Sequence, residues 1–150
     1  MTIVNEKEFM DRMRKRLGSQ ADKKIARTLF RSVLLVRETA VTSIASGSKT
    51  GRTYKRGTKL HTASAAGEAP ATDSGVLASS ITTDVDRDSS DDTLVGFVKA
   101  HASDGSGGNY ALHLEFGTRT MAARPFMQPA LQKNEARIKK LFQEEGIIDK

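Results

Sequence analysis

Apolar residues recur along this chain at two periods, and the changes from one to the other divide it into elements. From Ile25, the positions Leu29, Val33, Val36, Ala40 and Ile44 follow at spacings of three and four, the repeat that lines up one face of an α-helix. Ser19 stands before this run as an N-cap, and Ser46-Gly47-Ser48 ends it. Leu34, Leu35 and Val41 widen the stripe, which predicts burial on more than one side in the second half, against a sheet and a neighbouring subunit. A shorter helix is predicted upstream within residues 1–18. Asn5 and Glu8 make a capping-box-like start, Phe9, Met13 and Leu17 fall one turn apart, and Gly18 is the stop.

The period then shortens to two. Ile81, Thr83 and Val85 alternate with polar neighbours, Asp88 to Asp92 read as a turn, and Leu94 to Ala100 return as a more apolar strand, together an antiparallel hairpin. Before it, Asp73-Ser74-Gly75 opens a single helical turn through Val76 and Leu77, capped by an Asx-type side chain. After it, Gly105 to Asn109 form a flexible link. Tyr110, Ala111, Leu112, Leu114 and Phe116 then make a short helical turn carrying one acid, Glu115, and Gly117 ends it as a residue suited to the left-handed conformation. Thr118 to Ala123 are a connector of small and polar residues. Arg124-Pro125-Phe126 and Pro129 fix φ twice and point the chain into a last helix, with Leu131, Ile138, Leu141 and Phe142 on one face and Gly146 at its end.

Residues 48–72 fit neither period. Lys49, Arg52, Lys55, Arg56, Lys59 and His61 are scattered among Gly, Thr and Ser, with too few apolar residues for a core. The stretch reads either as a protruding hairpin, with Thr53-Tyr54 and Leu60-His61 as arms and Arg56-Gly57 as the turn, or as a mobile loop. As a contact arm it would reach an adjacent subunit or DNA. Tyr54 is one aromatic among the cations, thin support for a stacking platform. Charge sharpens this picture: residues 1–62 hold 15 Lys and Arg against 5 Asp and Glu, and residues 63–150 hold 9 against 13, so the halves carry +10 and −4. Such asymmetry fits a polyanion partner, subunits paired basic face to acidic face, or simply solvated helices. The Arg12 to Arg16 cluster could touch phosphate or be simply solvated.

At 150 residues the chain is long enough for one domain, residues 1–150, with its own core. It has no cysteine, which removes disulfides, thiolate catalysis and Cys-based zinc sites. The longest apolar run, Val33 to Val36, is far too short to span a bilayer, and Glu6 and Glu8 stand where a signal peptide wants an apolar core, so a cytoplasmic protein with no membrane partner is expected. His61, His101 and His113 lack metal-ligand spacing, and His113-x-Glu115 has no Cys pair to complete a zinc deaminase motif. The carboxylates from Asp84 to Asp92 lack the Gly and Glu of a calcium loop. No phosphate-cradling loop or nucleophile elbow is present, and neither an enzyme nor a cofactor is expected.

Tyr110-Ala111, then Glu115-Phe116-Gly117-Thr118, then Ala123-Arg124-Pro125-Phe126 and Pro129-Ala130 form an ordered signature. It resembles that of the head–tail joining proteins of long-tailed bacteriophages, also called neck or tail-completion proteins. The segment Ala63 to Ala71, then Asp73-Ser74-Gly75-Val76-Leu77 and Ser80-Ile81, is similar to that family's middle segment, with Ala66-Gly67 where Pro-Gly is common. With the long helix, these blocks cover most of the chain after residue 19. The resemblance implies an α+β domain in which a long helix packs on a small antiparallel sheet, with a protruding basic loop or hairpin and a C-terminal helix. It implies a structural virion protein made in the host cytoplasm, assembling as a ring between head and tail or completing the tail. Its partners would be other copies, other neck and tail proteins, and DNA passing through the channel without sequence-specific contact. The motif residues Tyr110, Glu115, Phe116, Gly117, Arg124, Pro125, Phe126 and Pro129 would lock a docking surface. Within it Glu115 and Arg124 are expected either to form a bidentate pair that fixes the loop between them or to face water. The alternative is a nucleic-acid-binding protein using the basic loop.

Overall fold

A computed structural model describes residues 20–88, 93–103 and 108–149. The helix expected within residues 1–18, its neighbour Ser19, and most of the Asp88 to Asp92 turn lie outside the described residues. The architecture is α+β. Its elements are α1 (Gln20–Ala45), β1 (Thr53–Arg56), β2 (Lys59–Thr62), α2 (Val76–Ser79), β3 (Ile81–Arg87), β4 (Leu94–Ala100), α3 (Tyr110–Phe116) and α4 (Met127–Glu144). Strands β1 and β2 form one two-stranded sheet and β3 and β4 another. The connection through residues 88–93 is too short for the crossover a parallel pair needs, so β3 and β4 run antiparallel, and Asp88 N–H donates to Thr93 O across it at 2.7 Å.

The described residues gather into two compact units. The first takes α1 up to Leu35, residues 83–97 and the chain from Asn134 onward. Here Ala26, Phe30 and Val33 are buried, and so is Val85 of β3. Burying a side chain such as Phe30 contributes about 1.5–3 kcal/mol. Thr28 and Ser32 lie on the same buried side, and each hydroxyl donates to the carbonyl four residues back, Lys24 O at 3.0 Å and Ser32 to Thr28 O at 2.8 Å. The helix meets the sheet at Gly96, where an added Cβ would lie 2.7 Å from Val33 Cγ1. At the rim Arg87 pairs with Asp22 at 2.8 Å.

The second unit takes Val36–Thr82 and Val98–Lys133. Val36, Ala40 and Ile44 continue the buried line of α1, joined by Leu77, Ile81, Ala102, Ala111, Phe126 and Ala130. Arg37 Nε donates to Ile81 O at 2.8 Å. The stretch at 51–63 is a hairpin. Thr53 pairs with Thr62, Tyr54 with His61, Lys55 with Leu60 and Arg56 with Lys59, and Gly51 N to Ala63 O and Ala63 N to Arg52 O carry the ladder further. The turn is thus Gly57-Thr58, one residue later than the Arg56-Gly57 expected. Gly57 takes φ 62°, as the first position of a primed two-residue turn requires.

Three expectations about faces and caps are corrected. Leu34 is 36% exposed and Leu131 53% exposed. In α4 the buried line starts at Phe126 and runs through Ala130 and Asn134, which turns Leu131 away from it. Helix α2 is preceded by Gly75 at φ 77° with no side-chain cap, because the cap position itself is a glycine, and Asp73 lies against His61 at 3.4 Å.

The close approach at Gly96 yields a prediction. Gly96→Ala should destabilise the protein by about 1–3 kcal/mol through overpacking, and adding Val33→Ala should recover part of that loss. Urea denaturation of the two single variants and the double would measure the coupling, and strict additivity would refute a contact at this point.

Candidate functional site

The second unit gathers both motif blocks of the sequence. Asn109, which falls at the end of the expected flexible link, is an organising residue. Its Oδ1 accepts from Ala111 N at 3.2 Å as the N-cap of α3 and from Ala102 N at 3.1 Å, while its Nδ2 donates to Ala100 O at 3.0 Å. An Asn directly before an apolar helical turn is an N-cap signal in its own right, and that signal was masked by the Gly and Ser before it. Tyr110 then opens α3, its amide donating to Ala102 O at 3.0 Å.

Glu115 and Arg124 do not pair. The Glu115 carboxylate accepts three backbone amides at the start of α4, Phe126 N at 2.8 Å and Met127 N at 3.0 Å on Oε2 and Gln128 N at 2.9 Å on Oε1. The first amides of a helix have no partner inside it. Glu115 takes three of them, and Pro129, next in line, has no N–H to satisfy. A carboxylate there also lies at the positive end of the helix dipole. Arg124 turns the other way. Its Nε donates to Ser64 O at 3.0 Å and its Nη1 to Ala122 O at 3.4 Å, while its own amide donates to Leu114 O at 2.7 Å.

Between these two residues the loop is set by main-chain geometry. Gly117 has φ 75° and ψ −178°, which is not the left-handed helical conformation expected but an extended mirror region open essentially to Gly alone. Thr118 N donates to Met121 O at 2.8 Å and Gly67 N to Ala123 O at 2.9 Å. This last bond and the Arg124–Ser64 bond join segment 63–71 to the signature segment. Of the motif aromatics, Phe126 is a core residue at 1% exposure, whereas Phe116 is displayed at 74%. Pro125 is half-buried at the corner.

The hairpin bears the exposed residues Lys49, Arg52, Tyr54, Lys55 and Lys59 on or beside it. Because strand side chains alternate, Tyr54 and His61 share one face, their rings edge to face at 5.2 Å, and Lys55 and Leu60 share the other. Leu60 is 78% exposed. The Tyr54 face borders a cleft of about 610 Å³ that also takes in Ser64, Asp73, Tyr110, Leu114 and Arg124. Ser64 is 1% exposed, and its hydroxyl is buried with no hydrogen-bond partner, a condition that costs about 1–3 kcal/mol.

Beside the cleft, Glu68 accepts from the Thr50 hydroxyl and from Ala65 N. The Thr50 bond first, then the Ala65 bond, hold its carboxyl below the usual value of 4.5. Among the described residues no group of three or more His, Asp or Glu is placed to hold a metal ion, and no helix is long and apolar enough to cross a membrane. Compared with protein-family models, curated proteins and solved structures, the chain matches none.

Two outcomes are expected. Glu115→Gln should lower stability by about 1–3 kcal/mol in urea unfolding, since an amide cannot accept from all three N–H groups with the same strength. Thr50→Val should move the Glu68 midpoint, followed by carboxyl NMR, up toward 4.5. A carboxyl whose folded value lies below its unfolded one stabilises above the unfolded value and loses that contribution as pH falls through the folded value. The two proteins should therefore differ in pH dependence only in the acid range below about 4.5.

Proposed function

We propose that this chain is a structural subunit of the neck of a long-tailed bacteriophage, assembling with copies of itself into a ring that joins head to tail or completes the tail and leaves a channel for DNA. The observation that carries this reading is the hairpin arm: Leu60, at 78% exposure, stands on its outer face beside Lys55. A docking arm that carries a large apolar side chain beside cations gains both burial and charge steering on contact. Further support comes from Phe116 at 74% and Leu112 at 56% exposure. They lie four residues apart on α3, within the segment that resembles the neck family. The arm's complement on the next subunit is the acidic edge of β3, where Asp84 and Asp86 sit.

The nucleic-acid reading uses the same cations and is favoured by the absence of any acidic residue from 49 to 67. Its stacking element is weak, since Tyr54 sets its ring edge to face with His61 instead of standing free.

Sedimentation of the protein across a salt series tests the assembly. Association should weaken as ionic strength rises, and Leu60→Ser and Lys55→Glu should each reduce it severalfold while leaving the urea midpoint unchanged. Association indifferent to salt and to both variants would refute the arm's role. Steeply salt-dependent binding to a DNA duplex near physiological ionic strength, lost in Lys55→Glu with Lys59→Glu, would instead favour the nucleic-acid reading.

A further inference from the structure

We propose that the cleft bordered by the Tyr54 face of the hairpin, Asp73 and α3 binds a ligand with an apolar body and a carboxylate, either a small organic acid or the C-terminal residue of a polypeptide. The inference goes beyond the assembly reading and does not depend on it, because the arm's docking face is the opposite one. Three observations converge. At about 610 Å³ the cleft has the size of a small-molecule site. Its lining combines apolar residues such as Leu77, Leu114 and Met121 with a few polar groups, the mixture that holds an amphiphilic ligand in one orientation.

The polar groups include uncommitted donors. Arg52 borders the cleft, and among the described residues its guanidinium has no partner. Arg124 spends Nε and Nη1 on carbonyls and leaves Nη2 free. Ser64 supplies a buried hydroxyl with nothing to bond. Two guanidiniums face one carboxylate, Asp73, which is already engaged with His61 at 3.4 Å, so the balance favours an anion. A carboxylate matches the guanidinium fork, and one of its oxygens would give the Ser64 hydroxyl the acceptor it lacks.

The test is a titration of the full ¹⁵N-labelled chain, followed by amide chemical shifts, with 3-phenylpropanoate and with 3-phenylpropanamide. A parallel arm uses N-acetylglycylphenylalanine and its C-terminal amide. Saturable shifts at Ser64 and Gly75 are expected with an acid, and at least about tenfold weaker binding with its amide, since the charge-assisted bonds are lost. If the peptide acid binds at least as tightly as the small acid, the natural source is a polypeptide terminus; if only the small acid binds, it is a free organic acid. Either result supports the site. Arg52→Gln and Ser64→Ala should each weaken the acid about fivefold or more. Ser64→Ala should leave the urea midpoint unchanged or higher, because the hydroxyl it removes has no partner in the free protein. Equal binding of acid and amide, shifts that do not saturate at millimolar concentration, or undiminished binding by Arg52→Gln would overturn the proposal.

Discussion

The arrangement of the second unit rests on one carboxylate. By accepting the amides of Phe126, Met127 and Gln128, Glu115 ties the end of α3 to the start of α4. That tie sets where the intervening loop can run. With the ends held, the loop closes on itself through Thr118 and Met121, reaches segment 63–71 through Ala123, and presents Arg124 to the Ser64 carbonyl. The same corner inserts Phe126 into the core at 1% exposure. A polar cap and an apolar anchor thus act on adjacent residues, and the orphan amides of a helix start become the means of joining distant parts of the chain.

How far residues alone reveal this structure can be judged element by element. Helix α1 was legible because its apolar spacing is long and regular, and the β3–β4 hairpin because alternation is a local signal. The stretch 48–72 has no such period, so a hairpin and a mobile loop stayed open there and the turn was expected one residue early. The detail of the α1 face was less so. Ala26, Thr28, Phe30 and Ser32 are buried while Ile25 and Leu29 are only half-buried, since small and hydroxyl-bearing residues that bond their own backbone fit close against a neighbour as well as aliphatics do. Leu131 misled for a related reason: which face of α4 turns inward is decided by where Phe126 anchors, a tertiary fact. The partner of Glu115 was hidden more deeply. Opposite charges nine residues apart invite pairing, but the amides at a helix start carry no side-chain signature, and here they outcompete a guanidinium.

The hairpin has two chemically distinct faces, and the period of a strand keeps them apart. One holds Tyr54 and His61 against each other beside the cleft; the other carries Lys55 and the exposed Leu60. Thr53 and Thr62 brace its base with a hydroxyl contact at 2.8 Å. A short ribbon with few buried side chains gains little from its own packing. Its base is therefore where order is imposed, by the Gly51–Ala63 and Arg52–Ala63 bonds and by the Arg124 bond to Ser64 next to them.

Gly117 has a consequence for how the sequence can drift. A methyl group there would stand 2.8 Å from Met121 O and 2.9 Å from Ala123 N, and both obstacles belong to the main chain. A crowded side chain can be relieved by shortening the neighbour, so two changes together succeed where either alone fails. No such second change exists when the obstacle is a carbonyl or an amide, which every amino acid carries alike. Divergence at this loop must therefore proceed by altering its length as a unit or by leaving the glycine in place.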